Sequence, residues 1–254
     1  MTEDAPRFVH LRGANSILPM ARMVAEQYMS EFPEVTVAVS GGGGLHGFQS
    51  VMDGTAEVAM LAEDLPPAAS RAAARGIQLV QTPFASDAVA AIVHAANPLT
   101  GLDRGRMADV FAGRVRNWSR LGGADAPIRL FALLPFEPAN ESWDANVMGA
   151  DDVLDREATF VTTAEMIRAV AADPRAIGYV RVSAITRALR PLALDGVAVT
   201  PETIRSGRYP VRRTLSLLHA TRAGEEAIAF VRYFTDPSRG LRHVSLINAV
   251  ALGR

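Results

Sequence analysis

Short β-type runs alternate with helical patterns along most of the chain, and this alternation constrains the fold more than any other feature. The runs 7–13, 34–40 and 57–63 are separated by a helical pattern from Ser16 to about Phe32 and by a second one that begins near Leu45. Strand, helix and strand in repetition are typical of a parallel α/β sheet. Further strands are predicted at 77–85, 88–97, 127–133, 177–182, 189–194 and 215–221, and further helices at 68–75, 104–111, 163–172 and 224–235.

Composition excludes several classes of partner. The 254 residues carry a formal net charge of -1 and contain no run of five basic residues, so nucleic acid is not an expected partner. No apolar run is long enough to span a bilayer, so direct membrane insertion is not expected either. The chain has no cysteine, and its five histidines show no paired spacing, which predicts no metal and no cofactor. The first residues lack the pattern of an export signal, which fits either a protein that stays inside or one whose signal has been removed.

A glycine-rich segment that begins at Ser40, SGGGGLHGFQSVMDG, separates one predicted strand from the next helix. From Gly42 onward it matches G-x-G-x-x-G, and Glu63 and Asp64 follow at about the distance of the ribose-binding acid of a dinucleotide fold. Glycines before a helix also suit phosphate, because they leave backbone N–H groups open to an anion. The segment alone therefore leaves both ligands open.

Five segments, in order and at matching spacing, resemble the phosphate-binding protein family of bacterial ABC uptake systems. They are GANSILPMARMVAEQYM, GGGGLHGFQSVMDGTAEVAM, the block ANPLTGLDRGRMADVFAGRVRNWSRLGGADAPIRLF, AADPRAIGYV and LDGVAVTPETIRSGRYPVRRTL. Together they cover nearly the whole chain. The resemblance removes the dinucleotide interpretation, because a dinucleotide fold has its glycine turn after the first strand, where this chain has GANS.

The resemblance implies a two-lobed α/β architecture, the type II periplasmic binding protein fold. Each lobe is expected to be a mixed, mostly parallel sheet flanked by helices, with a two-strand hinge and the ligand held between the lobes. Residues 1–86 and 196–254 would form lobe 1 and residues 87–195 lobe 2, with the hinge near 85–90 and 189–196. A monomeric, non-enzymatic binding protein outside the cytoplasmic membrane is implied, with a small-molecule ligand and a membrane permease or sensor as partners.

On the first lobe, the family's ligand-binding loops fall at the ends of the first three strands. Asn15 and Ser16 retain polar groups at a helix start, where backbone N–H groups and the helix dipole favour an anion. Gly44 stands where the family has a serine, so that hydroxyl is lost. The remaining candidates on this lobe are Gly43, Leu45, His46, Ala62 and Glu63.

On the second lobe, the family's R-x-x-G-S-G-T motif has no counterpart in this chain. The corresponding positions bring apolar residues, two prolines that lack an N–H, and a glutamate. A doubly charged ion is costly to remove from water, so a phosphate site needs many donors and usually an arginine. The ligand-binding candidates here are Leu133, Leu134, Phe136, Glu137 and Asn140, which with Glu63 favour a more apolar, neutral or cationic organic ligand.

Two alternatives remain beside this altered ligand. The domain could serve as a partner-interaction or sensor module that binds no small ligand. Phosphate binding could also be retained through substitute donors such as Arg12, Arg129 or Arg181. Of these, Arg181 stands where the family tends to have a small residue.

Overall fold

The computed structural model describes residues 7–62, 72, 76–135, 137, 139–149, 154–247 and 249–252. The chain divides into two compact units. Unit 1 consists of residues 1–86 and 213–254, and unit 2 consists of residues 87–212. The chain therefore enters unit 2 between Ser86 and Asp87 and leaves it between Arg212 and Arg213.

The sheet of unit 1 is built on three parallel strands, β1 (Arg7–Gly13), β2 (Val35–Ser40) and β3 (Val58–Leu61), with β1 between the other two. An antiparallel strand, β11 (Arg212–Ala220), pairs with β3. The first part of β4 (Leu79–His94) lies beside β11, and β12 (Val250–Ala251) pairs with β4.

Strand side chains alternate between the two faces of a sheet, so apolar residues reach both faces, and helices cover both faces of this sheet. One face packs on α1 (Leu18–Glu31), α7 (Glu225–Phe234) and a 3-10 segment at Gly240–Ile247. The other face packs on α2 (Gly44–Met52). Neighbouring residues show the alternation: Met60 lies in the first core and Leu61 in the second.

The sheet of unit 2 has β8 (Ala176–Arg181) between a parallel neighbour, β6 (Arg129–Leu133), and the antiparallel second part of β4. A short strand, β7 (Thr159–Val161), extends the parallel side, and β9 (Leu189–Pro191) pairs with the end of β4. The strands β5 (Gly101–Leu102) and β10 (Ala193–Leu194) form a separate parallel pair.

The helices of unit 2 include α3 (Arg104–Phe111), α4 (Ala139–Asn146), α5 (Thr163–Ala172) and α6 (Pro201–Arg205). An aromatic cluster joins two of them to β8. The ring of Trp143 stacks on Tyr179 at 4.4 Å between centroids, and Phe111 meets both rings edge-on. These large buried side chains fix α3 and α4 against the strand that leads to the candidate site.

The second crossing differs from the sequence expectation of 189–196. Residues 196–212 belong to unit 2, because this segment hydrogen-bonds to the unit 2 part of β4. The hydroxyl of Tyr209 donates to the carbonyl of Val89 at 3.0 Å, and the amide of Val89 donates to the carbonyl of Val211 at 3.0 Å.

Several elements also differ from the predicted pattern. The runs predicted at 77–85 and 88–97 form one continuous strand, β4. The strand β7, the helices α4 and α6, and the C-terminal 3-10 segment were not predicted. The helix predicted at 68–75 lies outside the described residues, apart from position 72.

Candidate functional site

Three parallel strands of unit 1 end at the same edge of the sheet, at Gly13, Ser40 and Leu61. Ligands of open α/β sheets bind beyond the carboxyl ends of such strands. The loops that follow are tied together by backbone hydrogen bonds. The amide of Ala14 donates to the carbonyl of Met60 at 2.8 Å, and the amide of Gly43 donates to the carbonyl of Gly13 at 3.0 Å. The edge is therefore a fixed surface rather than three independent loops.

The glycine-rich loop owes its shape to two constraints on the backbone. Gly42 and Gly43 have φ angles of 123° and 90°, which side chains rarely allow. A Cβ atom added to Gly41 would lie 2.2 Å from Oδ1 of Asn15. That same Oδ1 accepts a hydrogen bond from the amide of Gly42 at 3.2 Å. The side chain of Asn15 thus positions the loop, in addition to any contact with a ligand.

Helix α2 begins at Gly44 without a side-chain cap, since its N-cap residue is Gly43. The first N–H groups of a helix have no partner inside the helix, so those of Gly44, Leu45 and His46 are potential donors at this edge. The ring of His46 lies close to Gly42, and the side chain of Leu45 is 54% exposed. This end of unit 1 can therefore offer backbone donors, an imidazole and one apolar side chain to a ligand.

The other predicted site residues of unit 1 are Ser16, Ala62 and Glu63. Ser16 lies half-buried in a 3-10 turn, Asn15–Ile17, directly before α1. Ala62 is buried, which leaves its side chain little surface for a ligand. Glu63 lies outside the described residues.

The parallel strands of unit 2 also end at one edge, at Leu133, Val161 and Arg181. The loop after β6 brings Glu137 to the start of α5. There the backbone amide of Thr163 donates to Oε1 of Glu137 at 3.1 Å, and the hydroxyl of Thr163 donates to Oε2 at 2.8 Å. Glu137 is half-buried. Its carboxylate therefore occupies helix donors that would otherwise be open to an anion.

A second carboxylate completes this helix end. Thr162 and Glu165 form a capping box, in which the amide and hydroxyl of Thr162 donate to Oε2 of Glu165 at 2.9 and 2.8 Å. These hydrogen bonds lower the pKa of Glu165 below its usual value. The start of α5 is thus capped by acidic side chains of the chain itself.

The remaining predicted positions of unit 2 are mostly structural. Leu133 is 1% exposed in β6, so its side chain packs in the core and does not line the site, which corrects the expectation of an apolar wall there. Asn140 donates to the carbonyl of Leu134 at 2.8 Å and accepts from the hydroxyl of Tyr179 at 2.7 Å. Leu134 itself is half-buried, and Phe136 lies outside the described residues.

The three arginines predicted as substitute anion donors lie at different places in the structure. Arg129 begins β6, and its guanidinium bonds to Asp173 at 3.0 Å, so it lies at the opposite edge from the candidate site. Arg181 ends β8 at the candidate edge, where its Nη1 lies 3.1 Å from Oδ2 of the buried Asp87. In unit 1, Arg12 lies near the end of β1, and its Nε is buried without a hydrogen-bond partner in the described part of the chain.

Two residues of the candidate edge of unit 2 have no functional signal in the sequence. The sequence predicts Thr163 only as the start of a helix, and Asp87 only as the first residue of lobe 2. A threonine pair followed by a glutamate at the start of an apolar helix signals a cap. No local signal in the sequence pairs Thr163 with Glu137, or Asp87 with Arg181.

The described residues contain no group of three or more His, Asp or Glu that could hold a metal ion. Within the described helices, none is both long and apolar enough to cross a membrane. Two α/β units, each with polar loops beyond the carboxyl ends of parallel strands, are typical of proteins that bind a ligand at those strand ends.

The family described as a PBP superfamily domain matches residues 2–238, and the chain belongs to this family. Phosphate-binding protein PstS of Bacillus subtilis is 25% identical over 216 residues, which cover 82% of this chain and 69% of that protein. Phosphate-binding protein PstS of Borreliella burgdorferi is 21% identical, with 92% and 86% covered. These matches confirm the family predicted from the motifs, the phosphate-binding proteins of ABC transporters.

Solved structures confirm the predicted fold class. An ABC-type phosphate transport receptor from Vibrio cholerae superimposes with a TM-score of 0.83 at 22% identity, with 97% of this chain and 100% of that chain covered. PstS from Borrelia burgdorferi superimposes with a TM-score of 0.85 at 19% identity, with 98% and 100% covered. At this identity the likeness establishes the two-lobed binding-protein fold and leaves the ligand to the residues of the site.

Proposed function

We propose that the chain is an extracytoplasmic solute-binding protein of an ABC uptake system that captures a small organic molecule without chemical change. The ligand is neutral or cationic and has an apolar part, rather than being free phosphate. The exposed side chain of Leu45, beside the backbone donors of α2, supports an organic ligand. Closure of the lobes, a monomeric state and delivery to a permease or sensor are implied by the family.

The observation that carries this proposal is the pair of hydrogen bonds from Thr163 to the carboxylate of Glu137. A divalent phosphate about 5 Å from this carboxylate would be repelled by roughly 7 kcal/mol at an effective dielectric constant of 20. A hydrogen bond to a charged group returns only about 1.5–3 kcal/mol. Several additional donors would therefore be needed merely to offset Glu137. An ammonium or amide group would instead be attracted to it.

Phosphate is the second candidate, because Arg12 favours it. The Nε of Arg12 is buried and has no hydrogen-bond partner in the described residues, which is the state of a donor that awaits an acceptor. Arg12 lies one residue before the end of β1, close to the carboxyl edge of unit 1. A thermal-shift screen separates phosphate from an organic ligand.

A thermal-shift screen of phosphate, sulfate, amino acids, amines and lipid-like molecules tests the proposal. A ligand present at a hundred times its Kd stabilises a protein by about 2.7 kcal/mol, which raises the Tm by roughly 5–10 °C for a chain of this size. We expect such a shift with an organic cation or neutral molecule, and none with 10 mM phosphate. A shift of several degrees with phosphate contradicts the proposal. If no compound shifts the Tm and nothing co-purifies by mass spectrometry, the ligand-free interaction module is favoured.

Paired variants connect the ligand to Glu137. Glu137→Gln removes the negative charge at the candidate edge, whereas Glu165→Gln removes a charge from the capping box of the same helix. Both substitutions weaken a helix cap, so both are expected to lower stability. Only Glu137→Gln should reduce the affinity for a cationic ligand. Equal losses of affinity in the two variants would show that Glu137 acts only on the helix.

A further inference from the structure

Two donors of a single residue hold the carboxylate of Glu137. The backbone amide of Thr163 donates to Oε1 at 3.1 Å, and the hydroxyl of Thr163 donates to Oε2 at 2.8 Å. Each carboxylate oxygen has two lone pairs in the carboxylate plane, so Thr163 uses one lone pair on each oxygen. The position of Thr163 decides which lone pairs remain for a ligand.

The lone pairs of a carboxylate form two sets, called syn and anti. The two syn lone pairs point forward in parallel, so donors that use both lie about 2.4 Å apart, whereas donors that use both anti lone pairs lie about 7 Å apart. The amide nitrogen and the hydroxyl oxygen of one threonine are only about 3 Å apart. Thr163 therefore reaches both oxygens of Glu137 at the syn positions.

The syn positions are those that a guanidinium needs. Its parallel N–H groups bind a carboxylate fork to fork, with one N–H on the syn lone pair of each oxygen. Because Thr163 fills both positions, a guanidinium can donate only one N–H to an anti lone pair of Glu137, and its other N–H groups lose their acceptor. An ammonium needs no fork, since its charge is compact and its N–H groups rotate about the carbon–nitrogen bond.

We propose that the ligand is a primary amine whose ammonium group binds an anti lone pair of Glu137, and that Thr163 makes the site discriminate against guanidines. The carboxylate is half-buried and, among the described residues, accepts hydrogen bonds only from Thr163, so its anti lone pairs are left for a ligand. This inference rests on the proposed function, and it narrows the neutral or cationic ligand to one chemical class. Thr163 is a positioning residue, since it acts through the carboxylate of Glu137.

Isothermal titration calorimetry on the full chain tests the inference with matched pairs of an amine and a guanidine. The pairs are putrescine and agmatine, ornithine and arginine, and benzylamine and benzylguanidine. We expect at least one amine to bind about tenfold more tightly than its guanidine, because N–H groups without an acceptor lower the affinity.

The other outcomes separate the inference from the proposed function. If the guanidines bind within threefold of their amines or more tightly, the inference is wrong while the proposed function holds. The same conclusion follows if only a neutral organic molecule of the thermal-shift screen binds. If phosphate alone binds, or if no compound binds, both are wrong.

Variants of Thr163 assign the discrimination to this residue. Thr163→Val keeps the shape of the side chain and removes the hydroxyl, which opens the syn position of Oε2 and lets the carboxylate turn. The ratio of the two Kd values, guanidine to amine, should then fall at least threefold, and Thr163→Ala should give the same fall. Thr163→Ser is the matched control, since it keeps both donors and should keep the ratio.

The Kd ratio is measured within each variant, so a general loss of affinity from a weaker helix start cancels. A structural role of Thr163 alone would lower both affinities equally and leave the ratio unchanged. An unchanged ratio in Thr163→Val and Thr163→Ala, or an equal fall in Thr163→Ser, would overturn the role of Thr163.

Discussion

Replacing Asn140 by alanine tests whether this residue holds the loop after β6 together. Its carboxamide bridges two elements: Nδ2 donates to the carbonyl of Leu134 at 2.8 Å, and Oδ1 accepts from the hydroxyl of Tyr179 at 2.7 Å. Tyr179 has no exposed surface, so its hydroxyl cannot turn to water when the acceptor is removed. The loop that carries Glu137 begins at this bridge, since the amide of Glu137 donates to the same carbonyl of Leu134.

The expected magnitude follows from what each group loses. An orphaned buried hydroxyl costs about 1–3 kcal/mol, and the half-buried carbonyl of Leu134 adds roughly 0.5–1 kcal/mol. Asn140→Ala should therefore lower the free energy of unfolding by about 1.5–4 kcal/mol, or the Tm by roughly 3–16 °C. Tyr179→Phe removes the partner of Oδ1 of the half-buried Asn140 and of the buried amide of Leu133, which donates to the Tyr179 hydroxyl at 3.4 Å, and it should cost about 1–3 kcal/mol. The double variant should cost about 1–2 kcal/mol less than the sum, because no orphaned hydroxyl remains.

Denaturant unfolding followed by tryptophan fluorescence measures the loss of stability in unit 2, which contains Asn140. Trp118 and Trp143 are the two tryptophans of the chain, and both belong to unit 2. Asn146→Ala is the matched control, since among the described residues the side chain of Asn146 donates only to the carbonyl of Ser142 in its own helix, at 2.8 Å. It should change the free energy of unfolding by less than about 0.5 kcal/mol. If Asn140→Ala were equally mild and yet abolished ligand binding, Asn140 would be a ligand contact and the structural reasoning would be refuted.

Three further predictions concern titration and backbone strain. Burial raises the pKa of all four tyrosines, that of Tyr233 to about 12. Absorbance at 295 nm should therefore show less phenolate in the folded chain at pH 10.5 than in the chain unfolded by urea. The resulting stability is present below pH 10 and is lost as the pH rises through the raised pKa values. Hydrogen bonds from Arg175, and then from Arg129, lower the pKa of Asp173 to about 2. The stabilising effect of this carboxylate is therefore present above pH 4 and is lost as the pH falls toward 2. The Tm of Asp173→Asn should vary less between pH 4 and pH 2 than the Tm of the unchanged chain. Gly43→Ala should lower the free energy of unfolding, measured by calorimetry, by about 1–3 kcal/mol because of its φ of 90°. Gly54→Ala, at a φ of 70° in open space, should lower it by about 1 kcal/mol. Equal losses in the two variants would show that the glycine-rich loop has no special backbone constraint at Gly43.

The fold was predictable wherever a local pattern determines an element. The runs 7–13 and 163–172 match β1 and α5 because the apolar period and the end signals agree. The short helix α6 was missed although Thr200 and Pro201 give a cap and a first-turn proline, since five residues carry too little periodicity. The second crossing was misplaced because it depends on contacts with β4, which are distant in the sequence.

The contacts of the candidate site residues could not be predicted from the sequence. The alignment of motifs singles out Glu137 and Asn140, and in the structure Glu137 lies in the loop after β6 and Asn140 in the helix α4 that follows. Their roles depend on partners 26 and 39 residues away, Thr163 and Tyr179, and no local pattern encodes such contacts. Leu133 shows the same limit, because an apolar residue at a strand end fits both a site wall and a core, and only packing decides between them.

The shape of the glycine-rich loop and the charge at the candidate site come from different parts of the molecule. The loop keeps its glycines because Gly41 must approach Asn15 and because Gly42 and Gly43 adopt φ angles that other residues avoid. These constraints hold whatever ligand is bound, so the motif reports backbone geometry and a set of N–H donors. Under the proposed function, the charge that selects against phosphate comes from Glu137 in unit 2. The proposal therefore assigns the rejection of phosphate to the loop after β6, while the glycine loop contributes backbone donors and the exposed side chain of Leu45.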